Sequence, residues 1–424
     1  MYRGVWFGLG IIAALSSLAL AEDRLPNVVL IISDDQAWAD YGFMGHEVIQ
    51  TPRLDALARE GLTWTRGYVP SSLCRPSLMT IITGLYPHQH GVSGNDPPRG
   101  TDRRQMLKFI EQAETLPKLL ASKGYVSFQS GKWWEGRPQQ GGFTRGMTHG
   151  DPQRGGRHGD VGLAIGRNGL QPVFDFIDQA GEQPFFVWYA PMMPHSPHNP
   201  PDRLLNKYLK EGRSPHVARY YAMCEWFDET CGQLLDYLDQ KGLTDNTLVV
   251  YVTDNGWIQD PNSRNFAPRS KRSPNEGGIR TPIILRWPGK IAPGRDDVTL
   301  VSSIDLAPTV LAACGVAPPS SLSGVNLAKL SESDAPKRDT LYGEIFEHDV
   351  VALDDPQAGL VYRWCIEGWW KLILPKNGQN PELYNLKDDP WEKQNLAADH
   401  PDIVHRLSKK LDAWWALQPA ANSR

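Results

Sequence analysis

NVVLIISDDQ, from Asn27 to Gln36, is a strongly apolar run that ends abruptly in two carboxylates. Its first seven residues show no alternation of apolar and polar side chains, a pattern typical of a strand buried on both faces of a parallel sheet. Four further runs share this character and are also predicted to be buried parallel strands: YVSFQS (Tyr125–Ser130), FFVWYA (Phe185–Ala190), LVVYVT (Leu248–Thr253) and TPIILRW (Thr281–Trp287).

Helical patterns lie between these strands or follow the last of them, namely TPRLDALAREG, TLPKLLASKG, HVARYYAMCEWFDETCGQLLDYLDQKG and IDLAPTVLAACG. Alternation of strands and helices predicts an α/β fold with helices on both faces of the sheet. After about Pro336 the pattern changes, because GLVYRWCIEG, WWKLILP and ELYNL indicate short antiparallel strands before a helix from about Pro401 to Leu417. We therefore predict a main domain over residues 22–336 and a small antiparallel α+β subdomain over residues 337–424.

The amino-acid composition argues against two classes of protein. The chain has 424 residues, of which 41% are apolar and 22% charged, and its formal net charge is −4. This mild acidity argues against a nucleic-acid binder, for which a basic surface is expected. Five cysteines are too few for a disulfide-stapled scaffold, and Cys224 and Cys231 would lie about 10 Å apart along one helix, too far to bridge.

The first residues have the features of a secretory signal. Arg3 precedes the apolar run VWFGLGIIAALSSLAL, and the small residues Ala19 to Ala21 offer a cleavage site. We predict a signal peptide over residues 1–21 and export to the periplasm or the extracellular space. A retained membrane anchor is the alternative, because the run is near the minimum length that spans a bilayer. No other segment has that character, so no membrane span is expected after the signal is removed.

Polar clusters follow four of the five strands: DDQ, GKWW, PMMPHSPH and DNG. Ligands of open α/β sheets bind at the carboxyl edge of the strands, so these clusters are expected to converge. Asp34, Asp35, Asp254 and Asn255 would together offer oxygen ligands for a hard cation, Ca²⁺ or Mg²⁺. The alternative is that each pair merely caps a turn or a helix.

Cys74 begins the stretch CRPSLMTIITGLYPHQHG. Pro76 suits the first turn of a helix, which places Cys74 at or just before a helix N-terminus, where an anion is favoured. Taken alone, the residue could be a small buried hydrophobe or a thiolate nucleophile of lowered pKa. Neither fits well beside a cation site built from oxygen ligands.

Motifs along nearly the whole chain resemble the formylglycine-dependent sulfatases of the alkaline-phosphatase superfamily. They are CRPS with TG and YPHQHG, PNVVLIISDDQ, TPRLDALAREGLTWTRGY, SGKWW, PHSP, VTDNG, EGGIRTPIILRWPG, IDLAPTVLAACGV and DDPWEKQNLA, in the family's order. The resemblance implies a mixed, mostly parallel alkaline-phosphatase-like sheet. It also implies that a maturation enzyme oxidises Cys74 to formylglycine, whose hydrate supplies oxygen to a Ca²⁺ ion and attacks the sulfur of a sulfate ester.

The resemblance further assigns roles to individual residues. The calcium ligands would be Asp34, Asp35, Asp254 and Asn255 together with residue 74. Lys132 would neutralise sulfate oxygens or the diol, His195 would lie near the leaving oxygen as a general acid, and Lys271 would contact the bridging oxygen.

Two positions depart from the family pattern. Leu78 stands where the family has arginine, four residues after the cysteine, and Trp134 stands where it has histidine after GKW. Arg75 lies three residues before Leu78 and shares its helix face, so its guanidinium could serve the region of the missing arginine. His149 or His158 could replace the missing histidine.

The tryptophans of GKWW also allow two interpretations. Trp133 and Trp134 could form an aromatic wall that stacks on a sugar, or they could pack against the sheet.

We therefore predict an exported sulfatase that acts on sulfate esters, with sulfated carbohydrates as its substrates. A phosphate or phosphonate ester hydrolase on the same scaffold is one alternative. A catalytically inactive glycan-binding homologue is the other, motivated by Leu78 and Trp134.

Overall fold

The structure is a computed structural model that describes residues 24–150, 164–330 and 338–418. Its strands are β1 (Asn27–Ser33), β2 (Leu62–Tyr68), β3 (Val126–Gly131), β4 (Arg145–Gly146), β5 (Phe185–Ala190), β6 (Thr247–Thr253), β7 (Arg280–Arg286), β8 (Gly294–Asp296), β9 (Val301–Ser302), β10 (Thr340–Phe346), β11 (Leu360–Glu367), β12 (Trp370–Pro375) and β13 (Glu382–Asn385). Its helices are α1 (Pro52–Glu60), α2 (Cys74–Thr83), α3 (Pro87–His90), α4 (Lys108–Gln112), α5 (Leu116–Leu120), α6 (Gln171–Ala180), α7 (Asp202–Tyr208), α8 (Pro215–Gln240), α9 (Glu276–Ile279), α10 (Leu306–Ala313) and α11 (Pro401–Trp414).

Strands β1 to β9 form the main sheet, in the order β4-β3-β5-β1-β6-β7-β2-β8, with β9 also paired to β2. Four neighbouring strands, β3, β5, β1 and β6, run parallel to one another. The polar clusters that follow these four strands are therefore delivered to one edge of the sheet. The mixed, mostly parallel α/β fold is confirmed.

Strand β7 runs antiparallel to both of its neighbours, β6 and β2, so the prediction of a parallel strand there was wrong. Six of its seven residues are buried. A central strand covered on both faces has the same apolar sequence whichever way it runs, so burial could not reveal its direction. One consequence follows for the site: the connection between β6 and β7 leaves and re-enters the sheet at the edge where the polar clusters lie.

Helices cover both faces of the main sheet, and successive side chains of β1 enter two different apolar cores. Val28, Leu30 and Ile32 pack with residues of α2, α5 and α10. Val29 and Ile31 pack with residues of α1, α6 and α8. Both faces of the strand are thus buried, which explains why its sequence is apolar throughout.

Strands β10 to β13 form a second, antiparallel sheet in chain order. One face packs against α11, where Leu372 and Leu383 meet Leu407. The other face packs against the main domain, where Trp364 meets Tyr68 and Ile279. The predicted C-terminal subdomain is thus an antiparallel sheet with one helix, joined to the main sheet through an apolar interface.

Among the described residues, five strands escaped the sequence analysis: β2, β10 and the three shortest, β4, β8 and β9. Strand β2 carries Thr63, Thr65 and Arg66, each about 2% exposed, so polar residues hide a buried strand. The five cysteines all lie among the described residues, buried and without a disulfide, as predicted for Cys224 and Cys231. The predicted signal peptide and the boundary near residue 336 lie outside the described residues. In the described part of the chain, no helix combines the length and the apolar character that crossing a membrane requires.

Candidate functional site

Two acidic pairs lie side by side where β1 and β6 end. These strands pair in parallel up to their last residues, so Asp34 and Asp35 leave the sheet next to Asp254 and Asn255. The backbone N–H of Asp35 donates to Asp254 Oδ1 at 3.1 Å, and Asn255 Nδ2 donates to Asp35 Oδ1 at 2.7 Å. All four residues are at most 2% exposed, so the predicted convergence is observed in a buried setting.

Cys74 is the first residue of α2, and its side chain points into the same cluster. One ligand atom each from Asp34, Asp35, Cys74 and Asp254 lies within 4.8 Å of every other. Lys271 Nζ lies 3.1 Å from the Cys74 Sγ. Burial raises the pKa of the Cys74 thiol to about 11, against the opposing effect of the nearby lysines. A thiol with that pKa is protonated near neutral pH, which argues against the thiolate interpretation.

Two lysines enter the cluster from different connections. Lys132 Nζ donates to Asp34 Oδ1 at 2.7 Å and lies 3.3 Å from Asp254 Oδ2. Lys271 Nζ donates to both oxygens of Asp35, at 2.6 and 2.8 Å. Lys132 owes its position to Gly131, whose φ is +80° and whose Cβ, if present, would lie 2.0 Å from a carbonyl oxygen of β5. No other residue type fits that close approach.

The two lysines do not fully balance the buried acids. Burial, together with the neighbouring Asp34 carboxylate, raises the pKa of Asp254 to about 7, against the opposing effect of Lys132. Burial also raises the pKa of Asp34, although Lys132 opposes this. Burial acts on Asp35 in the same direction, but Lys271, His195 and Lys132 together outweigh it, and the pKa of Asp35 falls to about 2. The cluster is therefore short of positive charge, a condition that a bound cation relieves.

Two oxygen atoms of the cluster also lack a hydrogen-bond donor. Asp34 Oδ2 and Asn255 Oδ1 are buried and have no partner among the described residues. An unpartnered buried acceptor is destabilising by about 1–3 kcal/mol, so both atoms are suited to coordinate an ion. Carboxylate and amide oxygens select a hard cation, and the residues present therefore fit a Ca²⁺ ion.

His195 stands beside the cluster on the connection that follows β5. Its Nε2 lies 3.5 Å from Asp35 Oδ2, and its Nδ1 lies 2.6 Å from the carbonyl oxygen of Ser196. Donation from Nδ1–H to that carbonyl leaves Nε2 facing the acids. Burial lowers the pKa of His195 to about 4, even though Asp35 opposes this.

Arg75 is placed differently from the other predicted site residues. Its guanidinium donates to both carboxylate oxygens of Glu135, with Nη2 2.6 Å from Oε2, and its Nη1 lies 3.1 Å from the sulfur of Met106. Arg75 and Glu135 are 1% and 2% exposed. Arg75 is thus bonded to the loop after Lys132 and not to the aspartates of the cluster. That Arg75 serves the region of the missing arginine stays a prediction.

Sequence reasoning missed two residues that hold the start of α2. Glu135 is the partner of Arg75, and the Oδ1 of Asn95 accepts a hydrogen bond from the Arg75 backbone N–H at 3.0 Å. The one sequence signal for Glu135 was its place directly after GKWW, because a carboxylate beside the site can pair with an arginine. Asn95 lies 20 residues beyond Arg75 in sequence, and no local pattern marks it.

The two residues that depart from the family pattern, Leu78 and Trp134, lie among apolar side chains. Leu78 is 4% exposed and belongs to the core between α2 and the sheet. Trp133 and Trp134 belong to the same core, and Trp133 packs edge-on against Phe143 and Trp188. Of the two interpretations of GKWW, packing against the sheet is the one observed.

Neither candidate for the missing histidine is established at the site. His149 is half-buried among the described residues, and His158 lies outside them.

The chain is similar in sequence and in fold to several known proteins. Residues 26–316 match the family profile described as Sulfatase, and residues 267–416 match N-sulphoglucosamine sulphohydrolase, C-terminal. The chain is 31% identical to N-acetylgalactosamine-6-sulfatase of Canis lupus familiaris over 74% of its own length and 67% of that relative. It is 30% identical to human arylsulfatase A, with coverage of 98% and 93%. The crystal structure of Ps i-CgsB in complex with k-i-k-neocarrahexaose superimposes with a TM-score of 0.76 at 25% identity, covering 93% of this chain and 94% of the other.

Proposed function

The chain belongs to the sulfatase family and is a sulfuric ester hydrolase, and on this premise we propose that its substrates are sulfated carbohydrates. One observation carries the proposal: Asp34, Asp35, Asp254 and residue 74 converge in a buried cluster beside two lysines and a histidine. The names of the relatives support a sulfated sugar as the substrate class, since one is a sulfatase of N-acetylgalactosamine and one solved structure holds a neocarrahexaose.

We propose that Cys74 is converted to formylglycine by a maturation enzyme, and that Asp34, Asp35, Asp254 and Asn255 hold Ca²⁺. The buried, protonated thiol supports the first part, since it is a poor nucleophile as it stands. The unpartnered oxygens of Asp34 and Asn255 support the second. Residue 74, as a hydrated aldehyde, would supply a nucleophilic hydroxyl, and a calcium ion held by the four ligands would supply positive charge for the sulfate oxygens.

Three side chains of the protein itself supply the remaining catalytic functions. Lys132 is held between Asp34 and Asp254, where its charge offsets that of the sulfate group. Lys271 reaches both Asp35 and residue 74, so it stabilises negative charge that develops on the ester oxygen. His195 presents Nε2 toward the acids, and its imidazolium form, which carries a proton on Nε2 as well as on Nδ1, gives the Nε2 proton to the leaving alcohol.

We further propose that the protein is exported. The pattern of residues 1–21 supports this, because a charged residue, an apolar run and a small-residue cleavage site follow one another there. The division into a catalytic domain over residues 22–336 and a subdomain over residues 337–424 is part of the same proposal.

The test is expression with a formylglycine-generating enzyme, mass spectrometry of the Cys74 peptide, and rate measurements on matched esters. Conversion lowers the peptide mass by about 18 Da relative to the thiol. We expect turnover of 4-nitrophenyl sulfate and of sulfated monosaccharides, with 4-nitrophenyl phosphate much slower. Faster turnover of the phosphate would support the phosphate or phosphonate hydrolase. Full conversion without turnover of any ester, together with binding of sulfated glycans, would support the inactive glycan-binding homologue.

A further inference from the structure

We propose that Arg167 is a positioning residue that fixes His195 for proton transfer to the leaving alcohol. This inference rests on the proposed function, because it assigns to His195 the role of general acid. It adds a residue, outside every motif that identified the site, whose contacts decide where the imidazole stands.

Arg167 is presented by a tight turn, Gly166–Gly169, with the sequence GRNG. The N–H of Gly166 donates to the carbonyl of Gly169 at 3.1 Å, which closes the turn. Gly166 has φ +77°, and a Cβ there would lie 3.0 Å from the sulfur of Met193 and 3.1 Å from the hydroxyl of Tyr189. Glycine therefore lets the turn approach β5 and the His195 connection closely, so that Arg167 reaches that connection.

The guanidinium of Arg167 gathers four acceptors from one loop. Nη2 donates to the carbonyl oxygen of Met192 at 2.7 Å and to that of His195 itself at 3.1 Å. Nη1 donates to the carbonyl oxygen of Pro197 at 3.1 Å and to the side chain of Asn199. These four residues lie on both sides of the imidazole, so the planar fork of one arginine holds the loop before, at and after His195.

Among the described residues, the loop has fewer other polar contacts with the elements around it, although the ring of His198 also packs against Tyr220 and Trp257. The backbone N–H of Asp34 donates to the carbonyl of Met193 at 3.0 Å, which fixes the loop where it leaves β5. The imidazole has the contact of Nδ1 with the neighbouring Ser196 carbonyl and the 3.5 Å approach of Nε2 to Asp35. The Ser196 carbonyl moves with the loop, so it cannot hold His195 against a shift of the loop as a whole. Arg167 supplies that restraint.

Proton transfer from His195 is more sensitive to the loss of this restraint than binding of the substrate is. A displacement of about 1 Å from a productive geometry can slow a reaction roughly 10²-fold, and general acid catalysis itself contributes about 10²–10⁴-fold. The effect must fall on esters whose leaving alcohol needs a proton. It must be small for 4-nitrophenyl sulfate, whose phenolate leaves without one.

The experiment compares Arg167→Ala and Arg167→Lys with the parent enzyme on a sulfated monosaccharide and on 4-nitrophenyl sulfate. For Arg167→Ala we expect kcat to fall about 10²-fold on the sugar sulfate and less than about 3-fold on the aryl ester, with KM nearly unchanged. Arg167→Lys keeps the charge but not the fork, and we expect an intermediate loss on the sugar sulfate. Equal losses on both esters would overturn the proposal.

A double-variant cycle separates positioning from general loss of structure. If Arg167 acts through His195, Arg167→Lys has no further effect on the sugar sulfate in a His195→Ala background. Additive losses would overturn the proposal. Arg203→Ala is the matched control, because Arg203 pairs with Glu229 at the surface and its side chain is 58% exposed. That variant is expected to keep the parent kcat on both esters.

A crystal structure of Arg167→Lys tests the position of the His195 imidazole without an activity measurement. We expect His195 Nε2 to move by about 1 Å or more relative to Asp35, a displacement sufficient to impair catalysis. An unmoved imidazole would overturn the inference even if the parent enzyme hydrolyses sulfate esters. Failure of the parent enzyme on every ester would instead count against the proposed function, so the two failures are distinguishable.

Discussion

Replacing Lys371 with methionine is expected to destabilise the protein by about 4 kcal/mol. Lys371 lies on β12, and its Nζ is 3.0 Å from Glu276 Oε1 and 2.8 Å from Glu392 Oε1. The three side chains are at most 2% exposed. Glu276 belongs to α9 of the main domain, so this charge cluster joins the C-terminal sheet to the connection that carries Lys271.

The magnitude follows from what remains after Lys371 is removed. Two carboxylates stay buried without their shared cation, and loss of one partner from a buried ion pair is destabilising by about 3–5 kcal/mol. Glu276 keeps the hydroxyl of Tyr68 at 3.1 Å and Arg280 at 3.5 Å. Glu392 keeps the backbone N–H of Glu276 at 2.8 Å. These remaining partners keep the expected loss near the middle of the range.

The assay is urea unfolding. The free energies of unfolding are compared between variants for which that free energy falls with urea concentration at the same slope. Lys410→Met is the matched control, because Lys410 pairs with Asp339 and Glu367 at the surface and its side chain is 28% exposed. Surface ion pairs contribute at most about 1 kcal/mol, and both variants remove one positive charge. Adding Glu392→Gln to Lys371→Met is expected to recover part of the loss. A loss no larger than that of Lys410→Met, or no recovery in the double variant, would refute this account.

Three further predictions concern the site and pH. Cys74→Ala is expected to reduce sulfate ester hydrolysis to background with an unchanged circular dichroism spectrum, and parental turnover would contradict the role of residue 74. A chelator is expected to lower Tm, and Ca²⁺ at about 100 times its Kd to restore about 2.7 kcal/mol, a response that Asp254→Asn should weaken. Burial raises the pKa of Asp228 from 3.8 to about 7, although the backbone N–H groups of Leu54 and Arg53 oppose this. The folded state then holds the proton more tightly than the unfolded chain, so this stabilisation is complete below about pH 4 and is lost as pH rises to 7, by up to about 4 kcal/mol. Asp228→Asn should flatten the dependence of Tm on pH over that window, and an unchanged slope would contradict the assignment.

The fold was predictable where burial alone determines residue type. Strands β1, β3, β5 and β6 are covered on both faces, so their apolar runs identified them, and their polar ends located the site. Strand β2 was missed because Arg66 is buried by partners distant in sequence: it donates to the carbonyl of Val298 at 2.8 Å and stacks on Trp369 at 3.7 Å. The direction of β7 was missed because side-chain burial is the same for either direction.

The candidate site was predictable to the extent that it follows from strand ends. Asp34, Asp35, Asp254 and Asn255 meet because β1 and β6 end together, and Cys74 meets them as the first residue of a helix. The conformation of Arg75 was not predictable in this way. Its position on the helix was foreseen, but the direction of a long side chain is decided by its partner, here Glu135 on another connection.

The apolar interface between the two sheets has a consequence for synthesis of the protein. Tyr68 and Ile279 need Trp364 to cover them, and Glu276 needs Lys371, yet the ribosome makes β11 and β12 long after β2 and α9. The nascent main domain therefore emerges with an uncovered apolar face and with Glu276 paired to Arg280 but not yet to Lys371. Such a chain is prone to aggregate until its last hundred residues are made, so its yield in a heterologous host should rise with slower translation and added chaperones.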